Sequence, residues 1–312
     1  MFDPDVNNYS GIWVVDKPYG LTSADVLRKL KRLLGPIKIG HTGTLDPLAT
    51  GVLPVCMGEA TKLISYMILE PKTYQGRLKL GHETDSWDIT GKVVFEQEVP
   101  PLTRESLQPI FSGFLGRQLL EPPQFSAIKY KGRPLYTYAR KGIPVAVSPR
   151  EMFVSHFELL AVDGPYLDFE LVCSRGTYVR SITHLLGKAV GCGACLISLR
   201  RFRCGQFGIE DALSIEQIDE IIKKGDILEA SFAPVQVLDH MDKYRVKEVS
   251  EKKVKHGNPL WNNDLEGVCN FMGKTGEKVR LTVQGRLAAI AEIRKNNNGL
   301  FLQPVRVFHT TH

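Results

Sequence analysis

The spacing of apolar and polar residues predicts a chain in which helices and strands are mixed. Between residues 22 and 34, apolar side chains recur every three or four positions. Thr22 or Ser23 can cap the start of this helix, and Gly35 can end it. The same period predicts three more helices: residues 60–69, residues 179–190, and a segment between the capping box Ser214 with Gln217 and the stop at Gly225.

Strict alternation of apolar and polar residues predicts strands with one buried face. Three such segments are expected in an antiparallel sheet: residues 74–80, 152–160 and 167–173. After Leu238 the pattern changes to short strands with tight turns, at residues 279–283, 287–293 and 300–308. The sequence therefore predicts an α+β fold with a mixed, mainly antiparallel sheet, followed by a small domain resembling a β-barrel.

The length and composition place the chain among folded globular proteins. Its 312 residues fit two domains, and 43% apolar residues suffice for a packed core. No basic and apolar leader opens the sequence, and no apolar run approaches the roughly 20 residues that span a bilayer. We therefore expect a cytoplasmic protein without membrane contact, whose six cysteines are reduced thiols.

Two short motifs suggest a metal or a nucleotide but are incomplete. Cys192 and Cys195 have the spacing of a redox or zinc half-site, yet no second pair or nearby histidine completes four ligands. The segment 267–275 ends like a phosphate-binding loop, but five residues separate Gly267 from Gly273 where four are required. We expect neither a metal site nor a nucleotide site, and segment 267–275 is expected to be a turn between strands.

The positive charge is concentrated in one segment. Residues 117–150 carry seven basic residues and a single acid, while the net charge of the whole chain is +6. Aromatic residues alternate with these charges, as at Tyr130, Tyr136 and Tyr138. This composition suits a surface that neutralises phosphates and stacks on bases, although a charged segment can also be only a solvated face.

The segment around Asp46 is the strongest candidate for chemistry. Pro47 favours extended backbone angles at Asp46, and Gly43 and Gly51 allow a ligand to approach the loop closely. The carboxylate would then be presented to a ligand. The residues alone leave a second interpretation open, an Asp-Pro turn in which the side chain caps its own backbone.

Residues 41–53, followed by 58–62, closely resemble the signature loop of the bacterial TruB type of tRNA pseudouridine synthases. Further blocks of that family occur in order, at residues 16–20, 72–74 with 81–88, 174–180 and 199–201. The resemblance extends over roughly residues 11–235. One departure is Ser86, where the family more often has threonine.

The resemblance implies a division of the chain into two domains. Residues 1–238 would form the pseudouridine synthase catalytic domain, with residues 121–150 as a thumb-like insertion that binds RNA. Residues 239–312 would form a PUA-like RNA-binding domain, an assignment that rests mainly on the block at residues 255–260. Relatives that depend on a guide RNA lack the insertion, so its presence implies an enzyme that needs none.

The resemblance also assigns roles to individual residues. Asp46 would be the catalytic nucleophile, Arg180 the cation that keeps it ionised, and Tyr74 the ring that stacks on the target base and takes part in proton transfer. Residues expected to bind the substrate are His41, Tyr178, Leu199, Lys17, Lys129, Lys131 and Arg133. By sequence alone, Tyr74 and Tyr178 are also compatible with plain core residues, and Arg180 with a surface arginine.

The implied reaction is isomerisation of the uridine at position 55 in the T-loop of tRNA, with the base flipped out of the loop. It needs no cofactor, no metal and no guide RNA, and the enzyme would act as a monomer on the T-stem and loop. A protein that only binds and folds tRNA is the main alternative. A zinc deaminase is disfavoured because the chain has no Pro-Cys-x-x-Cys motif to accompany its single His-x-Glu, at residues 156–158.

Overall fold

The computed structural model describes residues 9–227, 230–267 and 273–309. The first thirteen strands of the described ranges are β1 Gly11–Lys17, β2 Ile39–His41, β3 Ala49–Met57, β4 Lys72–Leu80, β5 His82–Thr84, β6 Val93–Glu96, β7 Gly116–Leu120, β8 Lys129–Tyr130, β9 Arg133–Pro134, β10 Arg150–Asp163, β11 Tyr166–Cys173, β12 Ala194–Cys204 and β13 Phe207–Gly208. They are followed by β14 Lys243–Arg245, β15 Lys278–Val283, β16 Arg286–Asn296 and β17 Gly299–Val307. The helices are α1 Ser23–Leu34, α2 Arg104–Gly113, α3 Leu135–Ala139, α4 Val179–Val190, α5 Ile215–Lys224 and α6 Glu251–Lys255.

Three of the four predicted helices are confirmed with their ends. Helix α1 begins after a capping box formed by Thr22 and Asp25, and the helices α4 and α5 stop at Gly191 and Gly225. The prediction of a regular helix at residues 60–69 is wrong. That segment forms a short 3₁₀ helix, Gly58–Leu63, in which the Thr61 hydroxyl donates to the Gly58 carbonyl and competes with the regular helical hydrogen bond.

The main sheet has the strand order β1-β3-β12-β4-β11-β10-β7, with β2 pairing to β3 and β13 to β12. Neighbouring strands run antiparallel except β3 and β12, which run parallel where residues 49–51 face residues 199–201. The predicted strands β4, β10 and β11 are confirmed, and alternate residues of β11 are buried. The mixed, mainly antiparallel α+β fold is therefore confirmed.

The C-terminal strands form a second sheet with the order β14-β15-β16-β17. The predicted strands and the tight turns that join β15, β16 and β17 are confirmed. Within the described ranges this sheet is open, so closure into a barrel is not found. Of the segment 267–275, residues 268–272 lie outside the described residues, so the turn predicted there keeps the status of a prediction.

A cluster of buried apolar side chains joins the two sheets. Ile12, Val14 and Val52 of the main sheet pack in the same cluster as Leu287 and Ile290 of the second. Lys62 and Glu59 add polar contacts, since Nζ of Lys62 donates to the Val307 carbonyl and Glu59 accepts from the amide of His309. The C-terminal sheet is thus packed against the main sheet.

The thiol groups in the described part of the chain are free and buried. They belong to Cys56, Cys173, Cys192, Cys195 and Cys204, whereas Cys269 lies outside the described residues. Burial raises the pKa of Cys195 to about 11, so this thiol is not a reactive thiolate at neutral pH. For these five residues the expectation of reduced cysteines is confirmed.

Candidate active site

The loop that carries Asp46 lies between β2 and β3 and is fixed on both sides of the aspartate. Leu45 and Leu48 are buried in the main core. The hydroxyl of Ser23, at the start of α1, accepts from the amide of Leu45 at 2.9 Å and donates to its carbonyl. The amide of Ala49 bonds to the carbonyl of Asp46 at 3.0 Å. The carboxylate is therefore held on a rigid turn.

The backbone beyond this turn depends on a glycine. Gly51 has φ = 97°, which side chains rarely tolerate, and a Cβ there would lie 2.2 Å from the carbonyl oxygen of Arg201. This close approach occurs where β3 and β12 run parallel. Gly51 thus lets the strand after the aspartate pack directly on β12.

Arg180 is the ion-pair partner of Asp46. Its Nε lies 2.9 Å from Oδ2 of Asp46, and its Nη1 lies 3.5 Å from Oδ2 of Asp88. The arginine side chain is 4% exposed, whereas a third of the Asp46 side chain remains accessible. The pairing that the resemblance implied between residues 46 and 180 is thus present in the geometry, with Asp88 as a second carboxylate.

The remaining donors of Arg180 bind backbone carbonyls. Nη1 donates to the carbonyl of Ser86 at 3.2 Å, and Nη2 to that of Phe125 at 3.0 Å. Arg180 lies in the first turn of α4, where the helix dipole disfavours a cation. The carboxylates of Asp46 and Asp88 offset this cost. Ser86 keeps the hydroxyl of the family's threonine, which donates to Asp88 Oδ1 at 2.8 Å.

The environment acts on the pKa of Asp46 in two directions. Burial raises the pKa of this carboxyl above its ordinary value, and the negative charge of Asp88 raises it further. The charges of Arg180 and Lys17 oppose the increase. Burial outweighs the cations, so the carboxylate is a stronger base than a solvated aspartate.

Two tyrosines and a leucine lie on elements that adjoin the loop carrying Asp46. Tyr74 on β4 is 5% exposed, and burial raises its pKa to about 12, so the phenol is neutral at neutral pH. Burial also raises the pKa of Tyr178, with a contribution from the charge of Asp46, so the two side chains are close. Leu199 pairs with Ala49, three residues after the aspartate. These residues can form the walls of a pocket for a planar ring.

Lys17 and His41 lie close to the loop that carries Asp46. Lys17 is fully buried, and its Nζ donates to the carbonyls of Pro18 and Leu21 at 3.0 and 2.5 Å. Its pKa is lowered to about 8 by burial. Burial also lowers the pKa of His41, and Arg201 adds to that effect, so the imidazole is neutral at neutral pH. A neutral ring suits stacking on a base.

Residues 121–150 project between β7 and β10 and contain β8, β9 and α3. Lys129, Lys131 and Arg133 are all exposed. Nζ of Lys131 lies 5.5 Å from the ring centroid of Tyr130, whose ring meets that of Tyr138 edge to face. The geometry provides an exposed cationic surface with aromatic rings, as the sequence predicted.

The first residues of segment 121–150 are hydrogen-bonded to helix α4. Nη2 of Arg180 donates to the carbonyl of Phe125, and the hydroxyl of Ser181 donates to that of Glu121 at 2.6 Å. Two successive residues of α4 thus hold two positions of the insertion. The same arginine contacts Asp46.

Three charged residues near the pair carried no assigned role in the sequence analysis. They are Asp88, Lys72 and Arg201, and each lies inside one of the blocks that resemble the family. Arg201 is fully buried on β12, and its Nε donates to the carbonyl of Val52 at 2.7 Å. The motif blocks contained the signal, but only the fold shows which charges face the loop.

Within the described ranges, no group of three or more histidine, cysteine or acidic side chains could hold a metal ion. No helix in those ranges is long and apolar enough to cross a membrane. The expected absence of a cofactor keeps the status of a prediction.

Chains in two solved complexes have a fold similar to that of this chain. A chain in the structure of an H/ACA RNP bound to a substrate RNA containing 2′-deoxyuridine superposes with a TM-score of 0.71 at 22% identity, covering 98% of this chain and 87% of that one. A chain of a Cbf5-Nop10-Gar1 complex gives a TM-score of 0.70 at 24% identity, with 99% and 91% covered. At these identities the similarity establishes the fold alone.

Comparison of the amino-acid sequence with family models and with similar proteins identifies one family. Residues 31–179 match the model of the TruB family pseudouridylate synthase N-terminal domain, and residues 180–241 match that of the tRNA pseudouridylate synthase B C-terminal domain. The tRNA pseudouridine synthase B of Geobacter sulfurreducens is 39% identical over 90% of this chain and 93% of its own length. That of Syntrophus aciditrophicus is 37% identical over 96% and 98%. The chain belongs to the TruB family of pseudouridylate synthases, which are isomerases.

Proposed function

We propose that this chain converts the uridine at position 55 in the T-loop of tRNA to pseudouridine, with Asp46 as the nucleophile. The observation that carries the proposal is the contact of 2.9 Å between Asp46 and a buried arginine. Further support comes from the names of the similar proteins, which are tRNA pseudouridine synthases.

The reaction exchanges one bond of the sugar for another. The bond from C1′ to N1 of uracil breaks, the base turns, and C1′ joins C5. A proton leaves C5 and N1 gains one, so no atom is added or lost. Asp46 acts as an ionised carboxylate at the reacting nucleotide, and Arg180 stabilises its negative charge when the substrate excludes water.

The other site residues bind the flipped nucleotide. Tyr74 stacks on the base and takes part in the proton transfer from C5, while Tyr178 and Leu199 line the pocket. His41 stacks within the loop that the base has left, and Lys17 supports the turn that carries Asp46. Stacking in the pocket offsets the few kcal/mol that unstacking the uridine costs.

The remainder of the chain binds the RNA around the pocket. Residues 121–150 act as a thumb on the T-arm, with contacts from Lys129, Lys131 and Arg133. Residues 1–238 form the catalytic domain, and residues 239–312 form a PUA-like RNA-binding domain. The enzyme works as a monomer without guide RNA, and its substrate implies a reaction in the cytoplasm.

Replacement of Asp46 by asparagine tests the catalytic assignment. Tritium release from a T-stem and loop hairpin labelled at C5 of uridine should fall by at least about a thousandfold, because the nucleophile is lost. Binding of the hairpin should stay within a few-fold of the original. Asp163→Asn, a change of the same kind on an exposed side chain, serves as the control. Substantial turnover by Asp46→Asn would eliminate the proposed role.

A second experiment tests independence from cofactor and guide. The purified chain, with EDTA and without added nucleotide or guide RNA, should convert one uridine in the hairpin. Folded protein that binds the hairpin without converting it would support a guide-dependent or a binding-only role. Activity that disappears with EDTA would contradict a reaction without metal.

A further inference from the structure

Two cationic side chains behind the catalytic loop form no ion pair with any described residue. Arg201 is fully buried, with its Nε bonded to the Val52 carbonyl and its Nη2 to the Gly43 carbonyl at 3.2 Å. Its buried Nη1 has no hydrogen-bond acceptor among the described residues, and the phenol of Tyr74 lies within hydrogen-bonding range of the guanidinium. The ammonium group of Lys72, at the start of β4, forms no hydrogen bond or ion pair within the described ranges. No described carboxylate is therefore paired with either cation.

Both cationic groups face the same small space beside Gly43. A Cβ on this glycine would lie 3.3 Å from Nζ of Lys72 and 3.9 Å from Nη1 of Arg201. The space is open because residue 43 has no side chain. Gly43 belongs to the loop that carries Asp46 and precedes the aspartate by three residues.

The two cationic side chains act on each other as like charges. Burial lowers the pKa of Lys72, and Arg201 lowers it further. His41 also faces Arg201, but its lowered pKa keeps the imidazole neutral at neutral pH, so it contributes no counterion. Glu70 is the acid within electrostatic range of Lys72, but its Oε2 accepts from the amide of Arg175 at 3.0 Å. Like charges held together away from water are costly, and an anion between them would remove that cost.

We propose that Lys72, lying over Gly43 and the fixed charge of Arg201, binds one phosphate of the RNA backbone next to the target nucleotide. The proposal rests on the proposed function, since it takes the anion to be RNA. Lys72 lies two residues from Tyr74 on β4, so a phosphate held there belongs to a nucleotide at the pocket. An ammonium group on a flexible chain suits a phosphate, and Arg201 would act through its field from beneath.

Synthetic hairpins with one uncharged methylphosphonate linkage at a time test this assignment. Affinity is measured by fluorescence anisotropy for the unchanged protein and for Lys72→Gln. One linkage in the loop should weaken binding by the unchanged protein about tenfold, and this penalty should shrink below twofold in Lys72→Gln. The slope of log affinity against log salt should fall by about 0.7 in the variant.

Two further variants separate the site from a general loss of charge. Gly43→Ala keeps every charge but places a methyl group in the space, and it should remove the same penalty, because only the flexible end of Lys72 must shift. Lys79→Gln removes a lysine seven residues along the same strand, roughly 23 Å away. This control should leave the penalty at that linkage unchanged.

A penalty that persists in both Lys72→Gln and Gly43→Ala would overturn the proposal. So would stabilisation of the free protein by inorganic phosphate without coupling to any linkage, since that would indicate a site for free phosphate. Conversion of the unmodified hairpin is assayed in parallel. Failure of that conversion would refute the proposed function, whereas the linkage coupling is read from binding alone.

Discussion

Replacement of Arg180 by glutamine should affect both stability and the pH dependence of the reaction. The guanidinium lies between two carboxylates, at 2.9 Å from Asp46 and 3.5 Å from Asp88, and it satisfies the carbonyls of Ser86 and Phe125. Its side chain is almost completely buried. The substitution therefore leaves two negative charges near one another without their cation.

The cost follows from this burial. Removing one partner of a buried ion pair typically costs about 3–5 kcal/mol in the free energy of unfolding. The charge of Arg180 is the largest influence opposing the raised pKa of Asp46, so its loss raises that pKa further. In the proposed reaction the ionised carboxylate is the reactive form, so the acid limb of kcat/KM should move to higher pH.

Urea denaturation followed by tryptophan fluorescence gives the free energy of unfolding. Tritium release between pH 5 and 9 gives the acid limb of kcat/KM. Arg77→Gln is the matched control, because Arg77 makes a two-point ion pair with Asp168 but is more than a third exposed. Its removal should cost at most about 1 kcal/mol. In the Asp46→Asn background, Arg180→Gln should cost at least about 1 kcal/mol less than in the unchanged protein. Equal costs for Arg180→Gln and Arg77→Gln, or an unmoved acid limb, would refute the reasoning.

Two further predictions concern the insertion and the loop. Replacing Lys129, Lys131 and Arg133 together by alanine should reduce the slope of log affinity against log salt by up to about 2, at about 0.7 for each RNA phosphate that is no longer neutralised; an unchanged slope in a filter-binding titration would identify these residues as a solvated face. Gly51→Ala should cost at least about 2 kcal/mol in a denaturation experiment, because a side chain is strained at φ = 97° and its Cβ would strike the backbone of Arg201. Stability equal to that of the unchanged protein would show that the strand pair can separate there.

Amphipathic elements could be predicted from the sequence, and elements buried on both faces could not. Helices α1, α4 and α5 and strands β4, β10 and β11 each have one polar face, which preserves the period. In β1 and β3 nearly every residue is buried, so the alternation that identifies a strand is absent. Helix α2 contains Pro109, which usually interrupts a helix, although a capping box at Thr103 opens it.

In the candidate site, too, local features could be predicted from the sequence, whereas contacts between residues far apart in the chain could not. The turn chemistry around Asp46 was readable from its neighbours. The partner of Asp46 lies 134 positions along the chain, and only the family resemblance connected the two residues before the fold was known. Asp88, Lys72 and Arg201 also lie within the motif blocks. Which charged groups lie near each of them depends on the pairing of β3, β4 and β12, which the sequence does not show.

The anchoring of residues 121–150 on α4 couples two parts of the enzyme mechanically. Arg180 and Ser181 donate hydrogen bonds to backbone carbonyls near the start of residues 121–150, and Arg180 also forms the ion pair with Asp46. A displacement of residues 121–150 would thus reach the carboxylate of Asp46 across a single side chain. Residues 121–150 can consequently not be removed without affecting Arg180. A relative without this segment must supply another hydrogen-bond acceptor for that arginine. A deletion made in the laboratory would change the surroundings of Asp46 as well as any RNA-binding surface of the segment.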